Sequence, residues 1–305
     1  MIVDGTAQDD TIGIGAIEAV SAGLATSETV LRAAEMDVTG GIASGTIVDG
    51  GRLSVYAAGG DGVTEGTVLS SGSRELVSDG GRDHGATILS GAVEVISAVD
   101  KTAEAFGSLI SNGGLEVVRE SNAVADGATV FGGGTLSVTQ GGRVLGGLIL
   151  DGGLAIISGT ASSGQTIWFG ESGTLELANL HDFGAAISGL SASAQKVDLD
   201  GFAFSTSETV DWTQSGTSGT LKVTDGANVA KLTLIGSYAT SDFNLADDGH
   251  GGTFVFDPQP SPAITRLTHA VAGLPGGRSG AGIAVVHNGG SVTDCQPLIG
   301  AISSR

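Results

Sequence analysis

The sequence predicts an all-β protein whose repeats stack into a parallel β-helix, a solenoid with a C-terminal β cap. Three observations predict this fold: a short β-branched run recurs about every 20 residues, glycine turns separate the runs, and apolar and polar residues alternate within them. The 305-residue chain contains 53 glycines but only 5 prolines and 9 phenylalanines. Because the glycines do not follow the every-third-residue period of collagen, they indicate turns between strands.

The first run of the repeat occurs seven times, at steps of 21, 20, 21, 21, 18 and 19 residues. The seven copies are Thr46-Ile47-Val48, Thr67-Val68-Leu69, Thr87-Ile88-Leu89, Ser108-Leu109-Ile110, Thr129-Val130-Phe131, Gly147-Leu148-Ile149 and Thr166-Ile167-Trp168. A unit of this length cannot bury its own apolar face, whereas neighbours stacked about 4.8 Å apart form parallel sheets around a narrow core. The residues that we expect to stack in one column are Ile47, Val68, Ile88, Leu109 and Val130.

A glycine turn such as Asp49-Gly50-Gly51 follows most of these runs and leads to a second run. The second runs are Leu53-Ser54-Val55, Val93-Glu94-Val95, Leu115-Glu116-Val117, Leu136-Ser137-Val138, Leu154-Ala155-Ile156 and Leu175-Glu176-Leu177. An alternation with period two predicts half-buried strands with Leu and Val toward the core and Ser or Glu toward solvent. Each unit is therefore predicted to contain two strands and two turns.

An antiparallel sandwich is the alternative architecture, since it also has short strands at regular spacing. The strands of a sandwich occupy different environments, so there is no physical reason for the same short sequence motifs to recur at a constant interval. Stacked coils do have that reason, and their corners need the positive φ angles that glycine adopts readily.

Changes in this pattern divide the chain into four segments. Residues 1–40 carry degenerate copies and are expected to form an N-terminal cap with degenerate coils. The regular β-helix repeats cover residues 41–179, and longer strands over residues 180–256 predict the C-terminal β-cap module. Residues 257–305 hold a proline-containing linker and a tail rich in Gly and Ser, which we expect either to be disordered or to be part of another domain.

Composition limits the partners and the cellular context. The formal net charge of −20, from 13 basic and 33 acidic residues, opposes binding to nucleic acid. With 40% hydrophobic residues and a mean hydropathy of +0.26, the chain is too apolar for a solvated acidic tail. The single cysteine, Cys295, cannot form an internal disulfide. No signal peptide is visible in the first residues, and no apolar run is long enough to span a membrane.

The best candidate for acid–base chemistry is the segment over residues 79–84, which contains Arg82, Asp83 and His84. We interpret it as a structural turn between coils, because Asp and Gly are expected there for backbone reasons. No adjacent coil supplies a second carboxylate pair at the equivalent place in the sequence. The enzyme interpretation is therefore not favoured.

Two further features could bind a ligand, and each has a simpler explanation. Residues 247–252 combine Asp with Gly, as calcium loops do, but a hairpin turn explains the same residues. Trp168 and Trp212 could stack on sugar rings, but packing in the core or the cap is favoured. The five histidines show no metal-ligand spacing. We therefore expect no catalytic, cofactor-binding or metal-ligating residues.

Two stretches of the repeat resemble AIDA-type autotransporter adhesins: residues 40–51, with the sequence GGIASGTIVDGG, and residues 122–130, with NAVADGATV. The resemblance covers residues 6–179. Residues 219–226, GTLKVTDG, and residues 248–253, DGHGGT, look like the module that often closes such repeat regions in large bacterial exported proteins.

The resemblance implies a right-handed β-helix that is secreted or displayed at the bacterial cell surface. The implied roles are adhesion, self-association or biofilm formation. The residues themselves lead us to expect no enzymatic activity and no cofactor. The implied partners are cell-surface, extracellular-matrix or polysaccharide ligands, or further copies of the chain. Two alternatives stay open: a carbohydrate-active β-helix enzyme, either a polysaccharide lyase or a hydrolase, and a passive stalk for a missing domain.

Overall fold

Short strands joined by glycine turns make up almost all of the described chain, in agreement with the alternating runs of the sequence. The computed structural model describes residues 1–70, 72–111 and 113–257. Over these residues the chain winds through about ten coils of a parallel β-helix. Their only helical segment is one 3-10 turn, Thr240–Asp242, and none of their helices is long and apolar enough to cross a membrane. The predicted all-β parallel solenoid is confirmed.

Each regular coil contributes one strand to each of three sheets, which we call sheets A, B and C. In spatial order, sheet A contains Ile2–Val3, Ile17–Val20, Glu35–Val38, Arg52–Val55, Arg74–Ser78, Val93–Ser97, Leu115–Arg119, Thr135–Val138, Leu154–Ile157, Gly173–Leu177, Gln195–Leu199, Thr253–Phe256 and Asn244–Asp247. Sheet B contains Thr6–Gln8, Leu24–Thr26, Ile42–Ser44, Val63–Glu65, Arg82–His84, Ala103–Phe106, Ala123–Asp126, Arg143–Leu145 and Thr160–Ala161. Sheet C contains Thr11–Ile12, Thr29–Leu31, Ile47–Asp49, Val68–Ser70, Thr87–Ile88, Leu109–Ile110, Thr129–Phe131, Leu148–Asp151, Thr166–Phe169, Ala186–Ser188, Asn228–Ile235, Ser218–Asp225 and Thr209–Ser215.

A coil thus has three strands, one more than the sequence analysis predicted. The missed strands are those of sheet B, whose inward positions are mostly alanine, as at Ala25, Ala43 and Ala105. Alanine gives little contrast with its polar neighbours, so these strands lack the Val/Leu alternation that reveals sheets A and C.

Columns of aliphatic side chains, one residue per coil, form the core. In sheet A one inward column contains Val38, Val55, Val77, Ile96, Val118, Val138, Ile157, Leu177 and Leu199. Each member lies about 4.8 Å from the next, which is the spacing of hydrogen-bonded strands. A single coil buries almost none of its own apolar surface, so the stability of each coil depends on its neighbours.

The predicted column of sheet C is divided between two adjacent columns. Ile47 and Val68 share one column with Leu109, and this column faces outward. Ile88 and Val130 belong to the neighbouring column, which is fully buried. The predicted interval was therefore wrong by one residue at these two positions. One residue is enough to move a side chain to the opposite face of a strand.

The predicted orientation of the second run is right in some coils and wrong in others. Leu53 and Leu136 point inward as expected. Glu94, Glu116 and Ala155 also point inward, so the Val, Leu and Ile residues flanking them lie on the outer side, and of these flanking residues only Val95 is buried. The reason is that the hydrogen bonds of sheet A align each strand with its neighbours, and this register outweighs the local count of apolar residues.

Residues 1–40 form coils that pair in register with the coils that follow. Ile17–Val20 pairs with Glu35–Val38, and Thr29–Leu31 pairs with Ile47–Asp49. Of the predicted linker and tail, only Asp257 lies within the described residues, and Cys295 is outside them.

Antiparallel strands close two of the sheets at the C-terminal end. Thr209–Ser215, Ser218–Asp225 and Asn228–Ile235 form a meander whose last strand continues sheet C. A hairpin of Asn244–Asp247 and Thr253–Phe256 continues sheet A. The change from parallel to antiparallel pairing falls within the segment predicted as longer strands.

The turn at residues 132–134 offers a matched pair of glycine substitutions. A Cβ at Gly134 would overlap the backbone carbonyl oxygen of Ile110 in the preceding coil, whereas a Cβ at Gly132 would meet no heavy atom within 4 Å. We expect Gly134→Ala to lower the free energy of unfolding by about 1–3 kcal/mol through overpacking. Gly132→Ala should change it by no more than about 0.5–1 kcal/mol.

Chemical denaturation of both variants, followed by circular dichroism, measures the difference. Equal stability of the two variants would contradict the close approach of the coils at Gly134.

Candidate functional site

The structure separates the three side chains that were considered for acid–base catalysis. Arg82 and His84 lie on the outer face of sheet B, where Arg82 pairs with Glu104 at 3.5 Å and His84 stacks on Phe106 with ring centroids 4.8 Å apart. Asp83, between them, points inward and is fully buried. The turn interpretation is wrong for Arg82–His84, which is a strand of sheet B. A substrate could not contact all three groups at once.

The segment over residues 247–252 is a hairpin turn, as the simpler explanation predicted. It joins two antiparallel strands of sheet A. Asp248 Oδ1 accepts hydrogen bonds from the backbone amides of His250, Gly251 and Gly252 at 2.7, 2.9 and 2.8 Å. These hydrogen bonds, first of all that from His250, lower the pKa of Asp248. The carboxylate of Asp248 therefore stabilises the conformation of the turn.

The two tryptophans occupy different environments. Trp212 packs against Tyr238 and Phe243, with ring centroids 5.2 and 5.8 Å away, as predicted. For Trp168 the prediction of buried packing is wrong, because this side chain is 43% exposed on the outer face of sheet C.

Trp168 belongs to a column of outward-facing side chains in sheet C, and we call seven consecutive members of this column the outer stripe. Its members, one from each of seven successive coils, are Ile47, Val68, Thr87, Leu109, Thr129, Ile149 and Trp168. Four of them, Ile47, Leu109, Ile149 and Trp168, are 40–46% exposed. None of the seven is charged, although the chain carries a net charge of −20. At about 4.8 Å per coil, the outer stripe is roughly 30 Å long.

The interior contains four carboxylic acids that we call the interior acidic cluster: Glu75, Asp83, Glu94 and Glu116. The three glutamates are consecutive members of one inward column of sheet A and are directly paired across the ladder. All four side chains are fully buried. Buried acids normally have a cationic partner, because desolvating a charge costs several kcal/mol. Among the described residues the only ion pairs are those of Arg82 with Asp61 and Glu104, outside the cluster.

Thr64 is the main polar contact of this cluster. Its hydroxyl oxygen lies 3.0 Å from Glu75 Oε1 and 2.9 Å from Asp83 Oδ1. Asp83 Oδ2 accepts a hydrogen bond of 3.0 Å from the backbone amide of Ala86. A threonine hydroxyl has a single proton and cannot donate to both carboxyls. At least one carboxyl must therefore carry a proton, or a cation must neutralise the pair.

Several oxygens of the cluster have no hydrogen-bond partner. They are Glu75 Oε2, Glu94 Oε1 and both carboxyl oxygens of Glu116. Burial raises the pKa of Glu75 and Glu94 well above the usual range, and neighbouring acids, Asp83 first among them, add to the effect. Burial also raises the pKa of Asp83 to about 6 and that of Glu116 to about 8.

A second acidic group lies in the first coils. Asp10, Glu18 and Glu28 place one carboxylate oxygen each within 4.8 Å of one another, and Asp10 is exposed. Burial, followed by the charge of Glu18, raises the pKa of Glu28 to about 7. This group is open to solvent at one side, unlike the interior acidic cluster.

Stability should depend on pH because the folded state holds the proton of Glu116 more tightly than the unfolded state. A raised pKa in the folded state stabilises the protein below the unfolded value of about 4.5, and this contribution is lost as the pH rises toward about 8. A shift of this size corresponds to a free energy on the order of 5 kcal/mol. In buffer containing EDTA, we expect the melting temperature to fall steadily between about pH 5 and about pH 9.

Glu116→Gln is neutral at every pH and should make this decline shallower. Glu65→Gln, on the exposed outer side of sheet B, is the control and should leave the slope unchanged. Equal slopes for wild type and Glu116→Gln would contradict the assignment of the pH dependence to the interior.

Comparisons with known proteins give one kind of match. No protein-family model matches the sequence, and no curated protein matches it. Among solved structures, the chain is similar to a hyper-glycosylated TibA fragment whose glycosylation was catalysed by TibC. The sequence identity is 25%, the alignment covers 62% of this chain and 69% of that chain, and the TM-score is 0.43. The β-helix is therefore assigned from the strand pairing of this chain and not from the structural match.

Proposed function

We propose that the protein is a non-enzymatic adhesive module that acts outside the cell, through adhesion, self-association or biofilm formation. The observation that carries the proposal is the outer stripe. A straight line of uncharged side chains, four of them large, apolar and 40–46% exposed, is a surface on which another molecule can bury apolar area. The likeness of the repeat to AIDA-type adhesin repeats supports the same proposal.

The rigid spacing of the stripe suits an extended partner. Backbone hydrogen bonds to the coils on both sides hold the strand that carries each side chain of the stripe, so little backbone freedom is lost when a partner binds. Trp168 offers an aromatic surface beside Ile149, with which it is paired across the ladder. Such a surface fits a sugar ring of a polysaccharide or the equivalent stripe of a second copy.

Charge modulates this association. Two copies with a net charge of −20 repel each other, and the uncharged stripe is where they can approach most closely. Screening by salt reduces the repulsion while leaving apolar contact intact. Self-association through the stripe should therefore become stronger at higher ionic strength.

The absence of catalysis is part of the proposal. Arg82 and His84 face outward while Asp83 is sealed inside, so the acid–base candidates share no surface that a substrate could reach. The open alternatives are a carbohydrate-active enzyme and a passive stalk. An enzyme would release reducing ends from polysaccharide, and a stalk would neither bind nor self-associate.

Removing apolar area from the stripe should weaken self-association. We expect the double variant Ile149→Ser/Trp168→Ala to associate at least about tenfold more weakly than wild type, because two anchoring side chains are lost. Sedimentation velocity over a dilution series measures the monomer–oligomer equilibrium. Aggregation of protein-coated beads, with and without added polysaccharide, measures adhesion.

The control is Leu24→Ser/Ile42→Ser, a directly paired and similarly exposed couple on the outer face of sheet B. It should behave like wild type. A wild-type protein that stays monomeric, leaves beads dispersed and binds no polysaccharide would contradict the proposal and favour the stalk. Release of reducing ends would favour the enzyme.

A further inference from the structure

We propose that the carboxylates of Glu75, Asp83 and Glu94, together with the hydroxyl of Thr64, bind one divalent cation with the size and oxygen preference of Ca²⁺ inside the β-helix. No such site was expected from the sequence. The ion would lie between three successive coils, because Thr64 belongs to the first, Glu75 and Asp83 to the second and Glu94 to the third.

The spacing of the oxygens fits such an ion. One carboxylate oxygen each from Glu75, Asp83 and Glu94 lies within 4.8 Å of the other two. Two oxygens that both coordinate Ca²⁺ at about 2.4 Å can be no more than about 4.8 Å apart. Thr64 Oγ1 adds a fourth oxygen, 3.0 Å from Glu75 Oε1 and 2.9 Å from Asp83 Oδ1.

Unpartnered atoms in the same interior give an independent indication that a ligand is needed. Glu116 is fully buried and directly paired with Glu94 across sheet A, and no hydrogen bond within 3.5 Å reaches its carboxyl oxygens, although the Ser108 hydroxyl is near enough to offset part of the rise in pKa that burial causes. Glu75 Oε2 and Glu94 Oε1 lack partners as well. Native proteins rarely leave this many buried polar atoms unsatisfied.

A divalent cation meets these requirements together. It neutralises two negative charges at one point and can coordinate the oxygens of Glu75 and Glu94 that the protein leaves without partners. It also removes the difficulty that the single Thr64 proton cannot serve two carboxylates, since both can then coordinate the ion. Protons bound to the carboxyls are the competing way to neutralise the interior, and the experiment distinguishes the two.

The site is sealed, so the ion would enter while the coils form. The test is therefore refolding: the full chain is unfolded in denaturant and refolded at about pH 8 with either CaCl₂ or EDTA, then separated from free ions by gel filtration. Bound calcium is counted by atomic absorption and native mass spectrometry. For the chain refolded with CaCl₂, we expect retained calcium and a melting temperature higher by about 5 °C or more.

Glu94→Gln keeps the size of the side chain and removes a charged ligand. We expect it to lose one bound ion per chain and most of the calcium-dependent melting shift. The matched control is Glu28→Gln, a buried acid of the second acidic group, which should keep both. Thr64→Val provides a second test of the same ligand set, and circular dichroism establishes that each variant is folded.

Three results would overturn the proposal. One is a wild-type chain that retains no calcium and melts at the same temperature in CaCl₂ and EDTA, which would assign neutralisation to protons. Another is retention of the ion and of the melting shift in both Glu94→Gln and Thr64→Val. The third is loss of the effect in Glu28→Gln alone, which would move the site to the first coils.

Discussion

In-register hydrogen bonding between parallel coils is the constraint on which the rest of this structure depends. The neighbouring strands determine which side chains of a strand point inward. Equivalent residues of successive coils therefore form columns, and all members of a column have the same environment. A column is either inside or outside along its whole length. The apolar columns of the core, the outer stripe and the stacked acids Glu75, Glu94 and Glu116 are all consequences of this geometry.

The repeat length and the fold class could be predicted from the sequence, because glycine turns and a constant interval are local signals. Which residues of each strand point into the core could not be predicted, because a run of three residues has too few apolar positions to distinguish the two faces. A better signal was present in the turns. The second residue after the last turn glycine points inward at Leu53 after Gly51, Glu116 after Gly114 and Leu136 after Gly134. Counting from glycine would have placed Glu116 inside, but not Glu75 and Glu94, because their turns have Ser73 and Ala92 in place of that glycine.

The interior acidic cluster could not be predicted from the sequence for a different reason. Sequence reasoning weighed contiguous motifs, and Asp83 was considered only with its neighbours Arg82 and His84, which face the opposite way. Its actual partners are Thr64 in the preceding coil, Glu75 on the facing sheet of the same coil and Glu94 in the next coil. Thr64 is 19 residues from Asp83 in the chain and is its direct neighbour in sheet B, whereas it meets Glu75, 11 residues away, because sheets A and B face each other across the narrow interior. Pairwise proximity of this kind depends on the number of strands per coil, and sheet B was the sheet that the sequence did not reveal.

The interior cluster and the outer stripe share the same coils. The coils that carry Glu75 and Glu94 inside carry Thr87 and Leu109 of the stripe outside, because alternate residues of short strands point to opposite faces. These coils are held together by the hydrogen bonds of all three sheets, so any loss of stacking at the buried acids also interrupts the line of exposed side chains. A stripe divided in its middle offers two short surfaces in place of one roughly 30 Å long, and each buries less area against a partner. Neutralisation of the interior and recognition at the surface are therefore physically coupled through the same hydrogen bonds.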